Sequence, residues 1–179
     1  MFKPIICISF TVITCMGACT VPASAELDYL KSIKKFDAHF HARGDAPYLR
    51  DILDGLNMKV VTICTRGTNI ERMNMQINAA KETSQKYPRY YAWITTFDLT
   101  RRNEPGWIAD VTGHLRDSFE HGALGVKVWK EIGMEIKNPA GEYIQIDDSM
   151  FDPIYEYMIQ HNKPLVAHIG EPILPVLCD

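Results

Sequence analysis

Positive charge is not in surplus: 19 lysines and arginines stand against 22 aspartates and glutamates, a formal charge of −3. The two signs are interspersed. No basic stripe is available to neutralise a phosphate backbone, so a nucleic-acid partner has no support. Cysteine is scarce where it could staple a fold. Of five, Cys7, Cys15 and Cys19 lie near the N-terminus, leaving Cys64 and Cys178. These are too widely spaced for a disulfide framework, and no CxxC or Cys/His finger spacing exists. Cys64 ends an apolar run and is expected as a buried core residue. Repeats and low-complexity stretches are missing, and no apolar run makes a comfortable membrane span of ~20 residues. What remains is ordinary globular composition, 46% hydrophobic and 23% charged, with material for a real core.

The first 25 residues stand apart. Met1-Phe2-Lys3 gives a short positive start, Pro4 to Met16 carries no charge, and Ala23-Ser24-Ala25 offers a small-residue cleavage site. This is the layout of a secretory signal peptide. Met16-Gly17-Ala18-Cys19 loosely matches a lipobox, with Cys19 as the lipid-anchored residue in that alternative. Either route predicts an exported chain, periplasmic or extracellular, with residues 26–179 as the domain.

Beyond the signal, strand-like and helix-like segments alternate. Strands are expected at Lys35 to His41, Lys59 to Cys64, Tyr90 to Thr95, Leu124 to Trp129 and Pro164 to His168. Intervening helices are expected from a cap at Asp45 to Gly55, from a cap at Thr68 to Lys86, over Pro105 to His121, and from Asp147-Asp148-Ser149 to His161. Gly133, Pro139 and Gly141 mark turns, with a small hairpin through Ile144. The strand spacing is that of successive βα units in a parallel sheet. The fold class is therefore α/β, a TIM-type (β/α)8 barrel with about five units present, since a closed barrel needs eight and ~250 residues. A self-sufficient open sheet would expose an unpaired edge at its first and last strands.

In Asp37-Ala38-His39-Phe40-His41 a period of two sends 37, 39 and 41 to one face, with Phe36, Ala38 and Phe40 packing outward against helices. Two imidazoles about 6 to 7 Å apart along a strand can converge on one cation beyond its end. Asp37 is placed to orient an imidazole. Read alone, HxH equally fits two histidines on an exposed edge strand. His168 closes a later strand at the end where a parallel barrel keeps its reactive groups. Lys127 sits between Val126 and Val128 in a strand fit for burial, which desolvates its amine. Such an amine can take up carbon dioxide as a carbamate bridging two metals, or it can pair with a buried carboxylate or snorkel. Arg66, after the second strand, could meet a substrate carboxylate bidentately. Asp98 either faces the active end or caps a helix. Trp129 and Glu171 flank the candidate site. Lys130 and Glu131 are expected as solvated loop charges, and His114, His121 and His161 as surface residues.

Asp37-Ala38-His39-Phe40-His41, Gly122 to Trp129 and Lys163 to Glu171 resemble strands one, four and five of the amidohydrolase superfamily, in its amidohydrolase-related branch of hydrolases, decarboxylases and hydratases. The resemblance covers nearly all of residues 34–172. It implies a divalent metal, Zn²⁺ in first place and one or two ions, held by His39, His41 and His168. Lys127 would be a catalytic residue and a further ligand where carbamylated. It implies hydrolysis of an amide, ester or related C–N/C–O bond, with decarboxylation as the runner-up chemistry. The partner is then a small-molecule substrate, with a homo-oligomer left open. The sequence departs from the pattern in one respect. The family expects a histidine after strand six and a metal-bound aspartate after strand eight, and only Asp179 follows His168, so the chain is expected to be an N-terminal portion. A non-catalytic α/β domain is the alternative from another class.

Overall fold

The computed structural model describes residues 23–168 and Gly170. The apolar core of the expected export signal, Cys19 and Glu171 lie outside the described residues. A helix α1, Ala23–Ser32, begins at the residues read as the cleavage site. Five strands follow, the first four each succeeded by helix. The elements are β1 (Lys35–Phe40), α2 (Pro47–Gly55), β2 (Met58–Ile63), α3 (Ile70–Lys86), β3 (Tyr91–Ile94), α4 (Trp107–Glu120), β4 (Val126–Val128), α5 (Glu131–Met134), α6 (Asp152–Gln160) and β5 (Leu165–Ala167). No helix among the described residues is long and apolar enough to cross a membrane.

Every strand pairing is parallel. β1, β2 and β3 form one sheet in that order, and β4 and β5 another. A parallel bridge between Thr95 and Val126 joins them, with Lys127 N–H donating to the Thr95 carbonyl at 2.7 Å and Thr95 N–H to that of Gly125 at 3.1 Å. The strands therefore run in sequence order, but among the described residues they do not close into a barrel. Alternate side chains explain the layering. Val126 and Val128 enter the large outer core with Val111 and Leu115 of α4 and Ile154 and Met158 of α6. Val61, Ala92 and Ile94 pack on the other face, against Val166. Lys127 lies between the two outward valines, only 1% exposed.

Several local expectations give way to better local chemistry. The N-cap of α2 is Ala46, which makes no side-chain cap bond, while Asp45 pairs with Arg50. Asn69, not Thr68, caps α3, its Oδ1 accepting the Arg72 N–H at 3.0 Å. The last helix begins as a single 3-10 turn, Ser149–Phe151, before α6. Asp148 caps that turn by accepting from Met150 N–H at 3.0 Å. Pro153 has no N–H to give to an earlier turn, so the α-helix starts beside it. The small hairpin is present as an antiparallel bridge between Lys137 and Tyr143.

β1 departs most from simple alternation. Its register with β2 shifts between Asp37, paired with Val60, and Phe40, paired with Thr62. A step of three against two is a bulge, which breaks the strict period of two. Phe40 then packs with Leu53 and Val60, but Phe36 is 56% exposed and Ala38 is exposed. The expected outward packing of these two fails because α2 is short and buries only Leu53. β5 is likewise largely exposed. Among the described residues, these two outermost strands carry the unpaired edges expected of an open sheet.

Candidate metal and substrate site

The C-terminal ends of the strands bring the chemistry-bearing residues together. The His39 and His41 rings meet edge-on with centroids 5.4 Å apart. Trp129, just beyond β4, sits 6.4 Å from the His41 ring and 5.0 Å from that of His168. His168 is set at the end of β5 by donating its N–H to the Val128 carbonyl at 3.1 Å, so one more ladder bond fixes it beside Trp129. The Lys127 amine lies 5.8 Å from the Trp129 ring centroid.

Two details suit the imidazoles to a metal. His41 Nδ1 lies 3.1 Å from the Ile63 carbonyl oxygen, a contact that calls for a proton on Nδ1 and leaves the Nε2 lone pair as ligand. A backbone carbonyl holding the distal nitrogen is the usual way a ligand imidazole is oriented. Desolvation first, and then the positive charges of Lys127, His41 and His168, hold the His39 pKa below its ordinary value, with Asp37 opposing. Low basicity favours the neutral, ligating form. Burial alone depresses the Lys127 ammonium, and among the described residues no carboxylate forms an ion pair with it. No group of three His, Cys, Asp or Glu side chains among the described residues is drawn into metal-holding geometry. The donors share one end of the sheet but do not form a closed coordination sphere.

The carboxylates are committed elsewhere. Asp37 Oδ1 accepts the backbone N–H of His39 at 2.9 Å, so it shapes the bulge and orients the main chain in place of an imidazole. Asp98 Oδ1 accepts both the N–H and the hydroxyl of Thr100, at 2.8 and 2.6 Å. Asp98 lines a cavity between α3 and α4 that contains His114 and no member of the histidine cluster.

Arg66 does border the site. With His41, Arg43, Thr65, Gln76 and Trp129 it lines a cavity of about 280 Å³. Its φ of 78° lies in the left-handed region, a strained backbone state that persists where surrounding structure enforces it. At the next residue, Gly67, a Cβ would come within 2.5 Å of the Phe97 carbonyl. Gly67 in turn accepts the Leu99 N–H at 2.7 Å.

Two expectations about surroundings are corrected. Glu131 is 5% exposed and takes the Thr68 hydroxyl at 2.7 Å, tying the loop that carries Arg66 to the segment after β4. It is not a solvated charge. His114 is half-buried, its Nε2 2.9 Å from the Thr96 carbonyl, because α4 presses it against the end of β3. Arg43, Arg72 and Gln76 were not singled out by sequence. Arg43 follows the HxH by two, and Arg72 and Gln76 stand four apart on one face of α3, the spacing that would have flagged them.

The fold has a counterpart among solved structures. A crystal structure of an amidohydrolase II superposes with a TM-score of 0.53 over 82% of this chain, at 18% identity. A 5-carboxyvanillate decarboxylase from Novosphingobium aromaticivorans, with bound manganese, gives 0.47 over 71% of this chain and 35% of its own, at 20% identity. The chain spans 54% of the amidohydrolase II chain. No family model matches the chain, and no curated protein matches it. The architecture is thus α/β, with parallel strands in sequence order, and its fold is similar to that of the amidohydrolase II structure over 82% of this chain.

Proposed function

We propose that the chain is an exported metal-dependent hydrolase of the amidohydrolase type, acting on an amide, ester or related C–N/C–O bond. The observation that carries this reading is the pair His39–His41, with the His41 proton committed to Ile63, beside a buried lysine that has no ion-pair partner among the described residues. His39, His41 and His168 would hold a divalent ion, Zn²⁺ in first place, with Lys127 as a further ligand. Such an ion supplies Lewis acidity and lowers the pKa of a bound water. The chain's own residues do the rest. Trp129 walls the site and limits water access on the side of His41 and His168. Lys127, whose ammonium burial holds below its ordinary pKa, can hold or pass a proton beneath the ring. Arg66 can pair with a substrate carboxylate through its fork of donors. Export rests on Lys3, the uncharged run after it and the small residues at 23–25.

A second reading is favoured by the fate of Asp37 and Asp98, both committed to backbone and loop. With no carboxylate base in the cluster among the described residues, the domain could bind metal without turning substrate over.

Zinc-loaded protein should be assayed against carboxylate-bearing aryl esters and anilides. Turnover is expected, and it should vanish with a chelator and in His41→Ala. Release of carbon dioxide from aromatic acids without ester cleavage would move the chemistry to decarboxylation. Hydrolysis that survives both the chelator and His41→Ala would overturn the proposal.

A further inference from the structure

A second cavity, of about 400 Å³, is lined by Arg43, Arg66, Arg72, Met75, Gln76 and Ala79. Arg43, Arg66 and Gln76 also line the 280 Å³ cavity that reaches His41 and Trp129, so these three side chains form a common wall between the two spaces. Among the described residues, no acidic side chain lines either cavity. That local composition runs against a chain whose net charge is −3.

Arg50, Arg89 and Arg101 are each held by an acidic partner: Asp45, Asp54, and Glu104 with Asp110. Among the described residues, no ion pair or side-chain hydrogen bond engages the guanidinium of Arg43, Arg66 or Arg72. The three residues are exposed, and an anion seated in the hollow they line would offset the mutual repulsion of their guanidinium groups. The fourth donor is oriented in advance. Gln76 Oε1 accepts the Thr65 N–H at 2.9 Å, which fixes the carboxamide and leaves its NH₂ to donate. Arg66 has a left-handed backbone, and the residue after it, Gly67, lies close to the Phe97 carbonyl.

We propose that Arg43, Arg72 and Gln76 form an oxyanion subsite beyond Arg66, which takes the distal acidic group of an elongated, at least dianionic substrate. This deepens the hydrolase reading and rests on it for the position of the reacting end. The chemistry shared by the candidate groups is an oxyanion accepting two or more charge-assisted hydrogen bonds, either a carboxylate or a phosphate. Small cavities of this size, bounded by α3 and the β1–α2 loop, suit a small molecule.

The test uses the full chain without added metal. Binding of glutarate and of inorganic phosphate is measured by calorimetry and thermal shift in about 0.15 M salt, where non-specific ion pairing is screened, with neutral glutaramide as control. Saturable binding of at least one anion, and none of glutaramide, is expected. Binding of glutarate alone assigns a carboxylate, of phosphate alone a phosphoryl group. Arg72→Gln and Arg43→Gln should each weaken it about tenfold, roughly 1.4 kcal/mol. Arg72→Lys, which keeps the charge but loses the fork, should fall between. His39→Ala should leave anion binding unchanged, so failure of the metal reading and failure of this subsite are distinguishable. Absence of saturable binding, equal binding of glutaramide, or affinities unaltered in both arginine variants would overturn the proposal.

Discussion

Replacing Lys127 with methionine should stabilise the protein while impairing its metal chemistry. Lys127 is 1% exposed, lies in the middle of β4, and has no ion-pair partner among the described residues. A buried polar group lacking a partner costs ~1–3 kcal/mol. Its contact with Trp129, at 5.8 Å from the ring centroid, returns ~0.5–1 kcal/mol at an exposed site and more when desolvated. Methionine has nearly the same length, fills irregular space and retains favourable contact with the aromatic ring. The net expectation for Lys127→Met is a gain of about 1 kcal/mol, which in a domain of this size raises Tm by roughly 2–4 °C. Scanning calorimetry on metal-free protein reads this directly, and the assay with zinc and an ester substrate reads the loss of activity in parallel. A fall in Tm of similar size would refute the reasoning, because it would show that the amine is a structural partner.

Gly67→Ala should destabilise by ~1–3 kcal/mol, since the new Cβ would meet the Phe97 carbonyl at 2.5 Å; an unmoved urea midpoint would contradict this. Burial holds the His114 pKa below 6.5. Between the folded and unfolded values the unfolded chain therefore carries the extra proton, and stability present above pH 6.5 is lost as pH falls toward the folded value. His114→Gln, which keeps a donor for the Thr96 carbonyl, should flatten the stability profile below about pH 6.5; an unchanged slope would place the titration elsewhere.

The alternation of strands and helices was legible because buried parallel strands are short apolar runs punctuated by Gly and Pro, and each of the five runs became a strand. Convergence of His39, His41, Trp129 and His168 was legible for a related reason, since each ends or closely follows a strand. What could not be read was set by competition between local partners. Asp45 found Arg50, Thr68 found a glutamate 63 positions away, and Asp37 closed on the His39 backbone, each leaving the role its spacing suggested. The bulge in β1 follows from the same exchange, and no periodicity count reveals it. The basic cavity was hidden because it is assembled from a loop after β1, a loop after β2 and one face of α3.

His39 and His41 are proposed as the heart of a metal site. Zinc titration of the purified chain, in competition with a chromophoric chelator, tests it most directly. Uptake of about one equivalent is expected, abolished in His39→Ala and in His41→Ala and retained in Arg72→Gln. Zinc uptake that is negligible, or that both histidine variants leave unchanged, would contradict it.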